Sequence, residues 1–422
     1  MNIALVIWQL DTYGGSIRQI LEEARFLQKQ GHTVDVFTYK VDKEKCFPEF
    51  ISMVHVLAPQ PISLKQIFYN QSDSLTKRIW AFLVNEVVQY LQVQAVGDVL
   101  ALEHKKKHYD AINYHDHGVY RLAPRFTDTK NVWMMNDPPS FIDAKEKDAS
   151  QYAQTFLMKL LAWVERKRTL AALTCMDTIV VLDERNKSIV QRHFGKDARI
   201  VRSGLSIDQK YRSYKSVSEL KKEAVKKLQT RTKTKNADQI HILTTNIFFR
   251  HRRYEDLIEA ANILVHEKKK NNVIFRIIGD PTPDMGYYHM IQSLVQKYAL
   301  EKNVLFLGRV DEKELELQYQ IADIFVFPNH NQTWGLSVFE AMLRGAAVVV
   351  SKTSGAHDVL TDGKNALLVS PKDPQDLANK LEYVVTKSDV RVKLSKSGHA
   401  FVIKHISWEK YASDMAQIFS QK

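Results

Sequence analysis

At 422 residues, with 45% hydrophobic, 10% aromatic and 26% charged side chains, the chain is neither disordered nor fibrous, and it is longer than one core usually serves. A formal net charge of +12 and a pI near 9.3 favour anionic partners, whether nucleic acid, lipid headgroups or phosphorylated substrates. Two cysteines, Cys46 and Cys175, without metal or redox spacing, exclude a disulfide framework and fit a reducing cytoplasm; no run of about 18 uncharged apolar residues predicts a transmembrane helix.

Asn2 to Ile7 is a short apolar run of the kind buried on both faces of a parallel sheet, and without a basic leader before Asp11 it reads as a core strand and not a signal peptide. The loop Gln9 to Ser16 carries Gly14 and Gly15. Ile17, Ile20, Leu21, Ala24 and Leu27 then recur at helical spacing until Gly31, and Thr33 to Tyr39 is the next strand. This β-loop-α-β unit predicts a parallel sheet with right-handed crossovers. Val54 to Leu57 is a further strand, and Leu64 to Glu103 suggests one or two long helices closed by Lys105 to Lys107. Ala111 to Tyr114 delivers His115, Asp116 and His117 at a strand end, and Val132 to Met135 delivers Asn136 in the same way; strand C-termini are where open α/β sheets bind ligands. A helix over Tyr152 to Ala172, the strand Thr178 to Leu182, the helix Asn186 to Phe194 and the strand Arg199 to Val201 complete the first half.

Lys215 to Asn236 is strongly basic and marks a boundary. Its apolar positions Val217, Leu220, Ala224 and Leu228 share one helical face, so it reads as a basic linker or helix that either packs on the protein or meets anionic lipid. A second α/β series follows, with strands at Ile240 to Thr244, Val273 to Ile278, Val304 to Leu307, Ile324 to Phe327 and Ala346 to Val350. Asp373 and Pro374 open a late helix as N-cap and first residue. The domains expected are therefore 1–205, a basic segment 206–237, and 238–407, with 408–422 packing back on the first domain.

The densest chemistry lies in Asn329 to Gly345, NHNQTWGLSVFEAMLRG: a strand end, a polar loop with Gln332 and Gly335, then a helix opening near Leu336 with Glu340 inside it. Backbone N–H groups from Thr333 and Trp334 to Leu336, at a helix N-terminus, suit phosphate. Gln332 to Glu340 followed by Ala341 and Met342 resembles the E-x7-E-A-M signature of family 4 glycosyltransferases, retaining enzymes of the GT-B fold. Arg276 to Asp280, Val304 to Val310, Ala322 to Pro328, Gly355 to Leu360 and Asp362 to Val369 are similar to that family in order and spacing.

The resemblance implies two Rossmann-like, doubly wound domains facing a central cleft, and it implies roles. Glu340 binds the ribose hydroxyls of a sugar nucleotide. Gln332 stands where the signature has its first carboxylate. The family's diphosphate clamp, an arginine and a lysine after the first strand of the second domain, falls on TNIFFRHRRY, Thr245 to Tyr254; here Asn246 and Ile247 replace the usual Gly-Arg, Arg252 takes the lysine position, and Arg250 and Arg253 are the other cations at hand. Gly14 and Gly15 match the glycine loop that closes over phosphate, His115 matches a histidine near the reacting sugar, Gly279 lies in the matching run, and Arg309 and Val310 match the loop that reads the base. The catalytic set implied is His115, Gln332, Arg250 and Arg252, with no metal and no cofactor.

The activity implied is transfer of a hexose from a UDP- or GDP-sugar to a hydroxyl of a glycan or glycolipid, in polysaccharide or lipid-linked oligosaccharide synthesis, by a cytoplasmic protein in peripheral contact with an anionic membrane. A sugar-nucleotide epimerase or a phosphorylase of the same fold is the alternative. A basic nucleic-acid-binding protein would explain the charge but shows no recognised motif.

Overall fold

A computed structural model describes residues 1–62, 67, 74–115, 118–139, 142, 156–232 and 239–421. The chain divides into two compact units, Met1–Ser203 with Trp408–Lys422, and Gly204–Ser407. Asp116, His117 and the stretch before Phe156 in the expected helix from Tyr152 lie outside the described residues.

The first unit is built on seven parallel strands: β1 (Asn2–Val6), β3 (Thr33–Phe37), β5 (His55–Leu57), β6 (Ala111–His115), β7 (Lys130–Met135), β8 (Thr178–Val181) and β9 (Arg199–Ile200), in the order β5-β3-β1-β6-β7-β8-β9. The central strands are buried on both faces, as their unbroken apolar sequences require. A separate two-strand ladder pairs β2 (Gln9–Leu10) with β4 (Lys40–Val41), so the loop expected from Gln9 begins as a strand. The order reverses between β1 and β6, and this switch point is where a doubly wound sheet opens a crevice at its strand ends. One helix, Leu75–Lys107, fills most of the span read as one or two, its last turn carrying His104 and Lys105 to Lys107 against the negative end of the dipole.

The second unit has β10 (Ile240–Thr245), β11 (Val273–Ile278), β12 (Val304–Gly308), β13 (Ile324–Phe327), β14 (Ala347–Ser351) and β15 (Leu367–Val369), all parallel, in the order β12-β11-β10-β13-β14-β15. Counted along the unit this is 3-2-1-4-5-6, which puts the switch point between β10 and β13. The basic segment, expected as a linker or helix, is a helix, Tyr214–Thr232, belonging to this unit. Ala224 and Leu228 bury against Leu317 and Ile321, while Lys221 pairs with Asp323 at 2.9 Å and Arg231 with Glu314 at 2.9 Å. Its apolar face is thus consumed by packing, and contact with lipid through that face is excluded.

Candidate active site

In the second unit, Asn246 and Asn329 follow the ends of β10 and β13, and their carboxamides face each other at 3.1 and 3.2 Å across the switch point. The chain leaving β10 forms a tight turn over Arg250–Arg252, and Arg252 Nη1 donates to the amide oxygen of Gln332. With the Asn329 amide turned to satisfy its partners, its oxygen also accepts from Arg252 Nη1, at 3.0 Å. Gln332 is fixed from its other side: its Nε2 donates to the Thr333 carbonyl at 3.1 Å, and its own carbonyl accepts from the Gly355 N–H at 2.7 Å. Arg252 and Gln332, 80 residues apart in sequence, are therefore joined at one place.

The loop from Asn329 to Gly335 is bent by three residues at positive φ, Asn331 (52°), Trp334 (40°) and Gly335 (89°). Two of them are not glycine, and such backbone is held only where surrounding packing over-determines it. Trp334 supplies that packing, buried and 4.6 Å from the Phe339 ring. A Cβ on Gly335 would come within 2.9 Å of Phe327. The helix Leu336–Leu343 begins directly after it, with no side-chain cap and no acid in its first turn, so nothing in its own sequence offsets its positive end. Four residues in, Glu340 Oε2 accepts from the Tyr319 hydroxyl at 2.9 Å, and that hydroxyl lies 3.0 Å from Thr245 Oγ1 at the end of β10. Burial, then the neighbouring Glu340, hold the Tyr319 phenol well above its ordinary range, so Tyr319 stays a proton donor. A cation, an uncompensated helix end and an anchored carboxylate thus gather at one strand crevice.

The other residues expected here are placed differently. Arg253 adopts φ 56° and gives its guanidinium to Asp256, at 2.8 and 2.5 Å, and to Glu255, at 2.5 Å; it holds the start of the helix Tyr254–Asn262 and is not available to phosphate. Arg250 is exposed, 4.0 Å from Asp284 and 5.6 Å from the Tyr287 ring, apart from the Arg252–Gln332 pair. Gly279 is a backbone crossing: a Cβ there would lie 1.7 Å from the Asn246 carbonyl. Arg309 is exposed and Val310 half-buried just after Gly308.

In the first unit the helix Gly15–Lys29 also starts without a side-chain cap, and a Cβ on Gly14 or Gly15 would meet nothing within 4 Å. Neither glycine is required by the packing of the chain itself. His115 ends β6 at the switch point and is fully buried. Its Nε2 is 3.1 Å from Glu23 and 2.9 Å from Asn113 Nδ2, and Glu23 also accepts from Asn113 at 2.9 Å and from the Tyr411 hydroxyl at 3.0 Å, while Nδ1 has no hydrogen-bond partner among the described residues. Glu23 and Tyr411 were not anticipated. Their signal was an acid, Glu23, beside the apolar helix positions Ile20, Ala24 and Leu27.

Among the described residues one His/Asp group could gather a metal, His104, His108 and Asp128. His104 Nδ1 accepts from the Tyr109 N–H at 3.1 Å, which leaves the proton on Nε2, 3.3 Å from Asp128; the nitrogen a metal would need is thus occupied. No helix among the described residues is long and apolar enough to cross a membrane.

The fold and the crevice define a class. Sucrose-phosphate synthase from Thermosynechococcus elongatus superposes with a TM-score of 0.72 at 19% identity, covering 99% of this chain and 98% of that one. HepE of Anabaena, solved with UDP-glucose, does so with a TM-score of 0.69 at 14% identity, covering 100% and 99%. These likenesses show the GT-B fold. Residues 225–401 match the family model "Glycosyl transferases group 1". D-inositol 3-phosphate glycosyltransferase of Corynebacterium urealyticum is 26% identical over 164 residues, 39% of this chain and 38% of that protein, and the Corynebacterium jeikeium enzyme of the same name is 30% identical over 131 residues, 31% of each. The chain thus matches less than two fifths of the length of these relatives. Residues 225–401 of the second unit thus form a domain of the group 1 glycosyltransferase type, and the chain is similar to glycosyltransferases of family 4.

Proposed function

We propose that the chain moves a hexose from a nucleoside diphosphate sugar to a hydroxyl of a glycan or glycolipid acceptor, with retention at the anomeric carbon. The observation that carries this reading is the convergence of Arg252, Gln332 and Glu340 on the uncapped start of the helix Leu336–Leu343, at the β10/β13 switch point. Glu340, held by Tyr319, takes the two ribose hydroxyls. Arg252 and the helix N–H groups take the diphosphate, and because they supply its counter-charge no metal is needed. As the C1–O bond to phosphate breaks, negative charge grows on the leaving oxygen and these same groups stabilise it. The acceptor oxygen bonds to C1, and its proton passes to the departing phosphate. Gly14 and Gly15, free of internal steric need, leave room for close approach of a ligand. The complex of HepE with UDP-glucose makes UDP-sugars the first donors to test.

The test is titration of UDP and UDP-glucose into the wild-type chain and Glu340→Ala. Loss of two charge-assisted hydrogen bonds should weaken UDP binding by about tenfold or more. Equal affinity would remove Glu340 from the donor site. Sugar phosphate released from a glycan by inorganic phosphate would instead make the enzyme a phosphorylase, and turnover of the sugar nucleotide without acceptor an epimerase. The reading extends to a lipid-linked acceptor met at the cytoplasmic face of a membrane, and full activity in EDTA is expected.

A further inference from the structure

The helix Gly15–Lys29 buries three polar side chains, Gln19, Glu22 and Glu23, among Ile20, Leu21, Ala24 and Leu27. Glu22 is accounted for by Arg25, at 2.5 Å. Glu23 instead meets β6 and the last helix of the same unit, Trp408–Ser420. Its Oε1 accepts from Asn113 Nδ2 at 2.9 Å, and its Oε2 accepts from the Tyr411 hydroxyl at 3.0 Å and lies 3.1 Å from His115 Nε2. Burial, then the neighbouring Glu23, hold the Tyr411 phenol well above its ordinary range, so that hydroxyl stays a donor.

An ionised carboxylate can only accept, so a ring nitrogen beside it must bring the proton. That puts the His115 proton on Nε2. Asn113 Nδ2 lies 2.9 Å from the same nitrogen but already donates to Glu23 Oε1. The lone pair of the neutral ring then sits on Nδ1, which has no hydrogen-bond partner among the described residues although the ring is fully buried. One turn before Glu23 on the same helix face, Gln19 is 1% exposed and leaves both its amide atoms in the same condition. Packing alone does not call for such groups, because a buried polar atom left unpaired has lost water and gained nothing. Both residues lie at the end of the sheet where β1 runs on toward this helix and β6 stops, the side on which a doubly wound sheet takes its ligand.

We propose that Glu23 is a positioning residue: by holding the His115 proton on Nε2 it presents Nδ1 as an acceptor to a hydroxyl of an uncharged sugar. Tyr411 and Asn113 fix the carboxylate that does this. A lone pair backed by a carboxylate repels an anion, whereas the Gln19 amide offers one donor and one acceptor, which suits neighbouring sugar hydroxyls. The inference rests on the glycosyltransferase reading and deepens it by naming what sets the hydrogen-bonding sense of His115.

The test uses the full chain with isotope-labelled histidine at neutral pH. Long-range proton–nitrogen correlation spectra show which ring nitrogen is protonated, and the His115 signal is the one lost in His115→Gln. The wild type should carry its proton on Nε2, and a sugar should move the Nδ1 signal. Methyl glucoside moving it assigns the hydroxyl to an acceptor; UDP-glucose moving it where UDP does not assigns it to the donor hexose. Glu23→Gln, nearly isosteric, gives the ring an N–H to accept from, so proton should pass to Nδ1 in part of the population and affinity for that sugar should fall by about tenfold. Tyr411→Phe keeps the carboxylate; it should lower the melting temperature and leave the tautomer in place, which separates positioning from packing. A wild-type proton on Nδ1, or on both nitrogens, overturns the proposal whether or not any variant folds. So do an Nδ1 signal that neither sugar moves, one that inorganic phosphate moves as far, and a Glu23→Gln variant with wild-type tautomer and sugar affinity. Absence of UDP binding in the wild type, titrated in parallel, would sink the donor reading and leave the tautomer result standing.

Discussion

Gln332→Glu restores the residue type that the family signature carries, and the structure argues that it weakens donor binding. Arg252 Nη1 donates directly to the amide oxygen that would become a carboxylate oxygen. In the wild type that bond is between a cation and a neutral acceptor. In the variant it becomes an ion pair. Two unit charges in contact at a half-buried site attract by about 4 kcal/mol at an effective dielectric of about 20, and discounting for solvent and ordering leaves about 1–2 kcal/mol to be overcome when phosphate competes for the guanidinium. The variant also loses the Nε2 donor and sets its second oxygen against the Thr333 carbonyl, 3.1 Å from Nε2 in the wild type. UDP affinity should therefore fall by about tenfold, since 1.4 kcal/mol is one decade. The family pattern places a second cation where this chain has the exposed Ile247, so losing one cation and one anion together leaves the net charge of the clamp unchanged. Ile247→Arg combined with Gln332→Glu should accordingly recover most of the affinity. Isothermal titration with UDP measures both variants; tighter UDP binding by Gln332→Glu alone, or no recovery in the double variant, would refute the reasoning.

Gly279→Ala puts a methyl carbon 1.7 Å from the Asn246 carbonyl, a backbone atom that cannot swing aside, so the chain after β10 must move; a thermal melt should show destabilisation of about 3 kcal/mol or more, with UDP affinity falling in parallel. Glu23→Leu strips the acceptor from the His115 ring, Asn113 and Tyr411 in a buried site and should cost about 3 kcal/mol in urea unfolding, whereas Tyr411→Phe, which removes one donor, should cost about 1 kcal/mol. His241 on β10 is lowered to about 4, by burial first and then by Arg276 and Lys221 against the opposing Asp323. The unfolded chain therefore takes up this proton first, and the contribution of neutral His241 is complete above about pH 6.5 and lost as pH falls toward 4, about 3 kcal/mol in all. Comparing the wild type with His241→Leu in urea at pH 7 and pH 4.5 should show the wild type losing more stability on acidification.

Both sheets were legible because buried parallel strands leave short apolar runs that punctuation residues separate, and β10 to β14 fall where those runs do. Strand order was not in the runs themselves, since pairing joins residues more than a hundred positions apart, as β1 joins β6. The helix Tyr214–Thr232 shows the limit from the other side. Its sequence leaves open whether its apolar face packs on the protein or meets lipid; the salt bridge from Lys221 to Asp323 and the burial of Ala224 and Leu228 are tertiary facts that local composition does not contain.

The site divides along the same line. The placement of Glu340 and of the glycine-bent loop could be read because it is local: a helix start, a carboxylate one turn in, a Gly335 whose Cβ would strike Phe327. The arginines could not, because three adjacent cations look alike in sequence and only the turn geometry sorts them. The left-handed backbone at Arg253 turns its side chain onto Asp256, Arg250 runs out toward Asp284, and Arg252 alone meets Gln332. That sorting changes what the departure at Gln332 means. Read singly, an amide in place of a carboxylate is a loss; read with Arg252 bound to it, it offers that guanidinium a neutral acceptor where a carboxylate would form an ion pair.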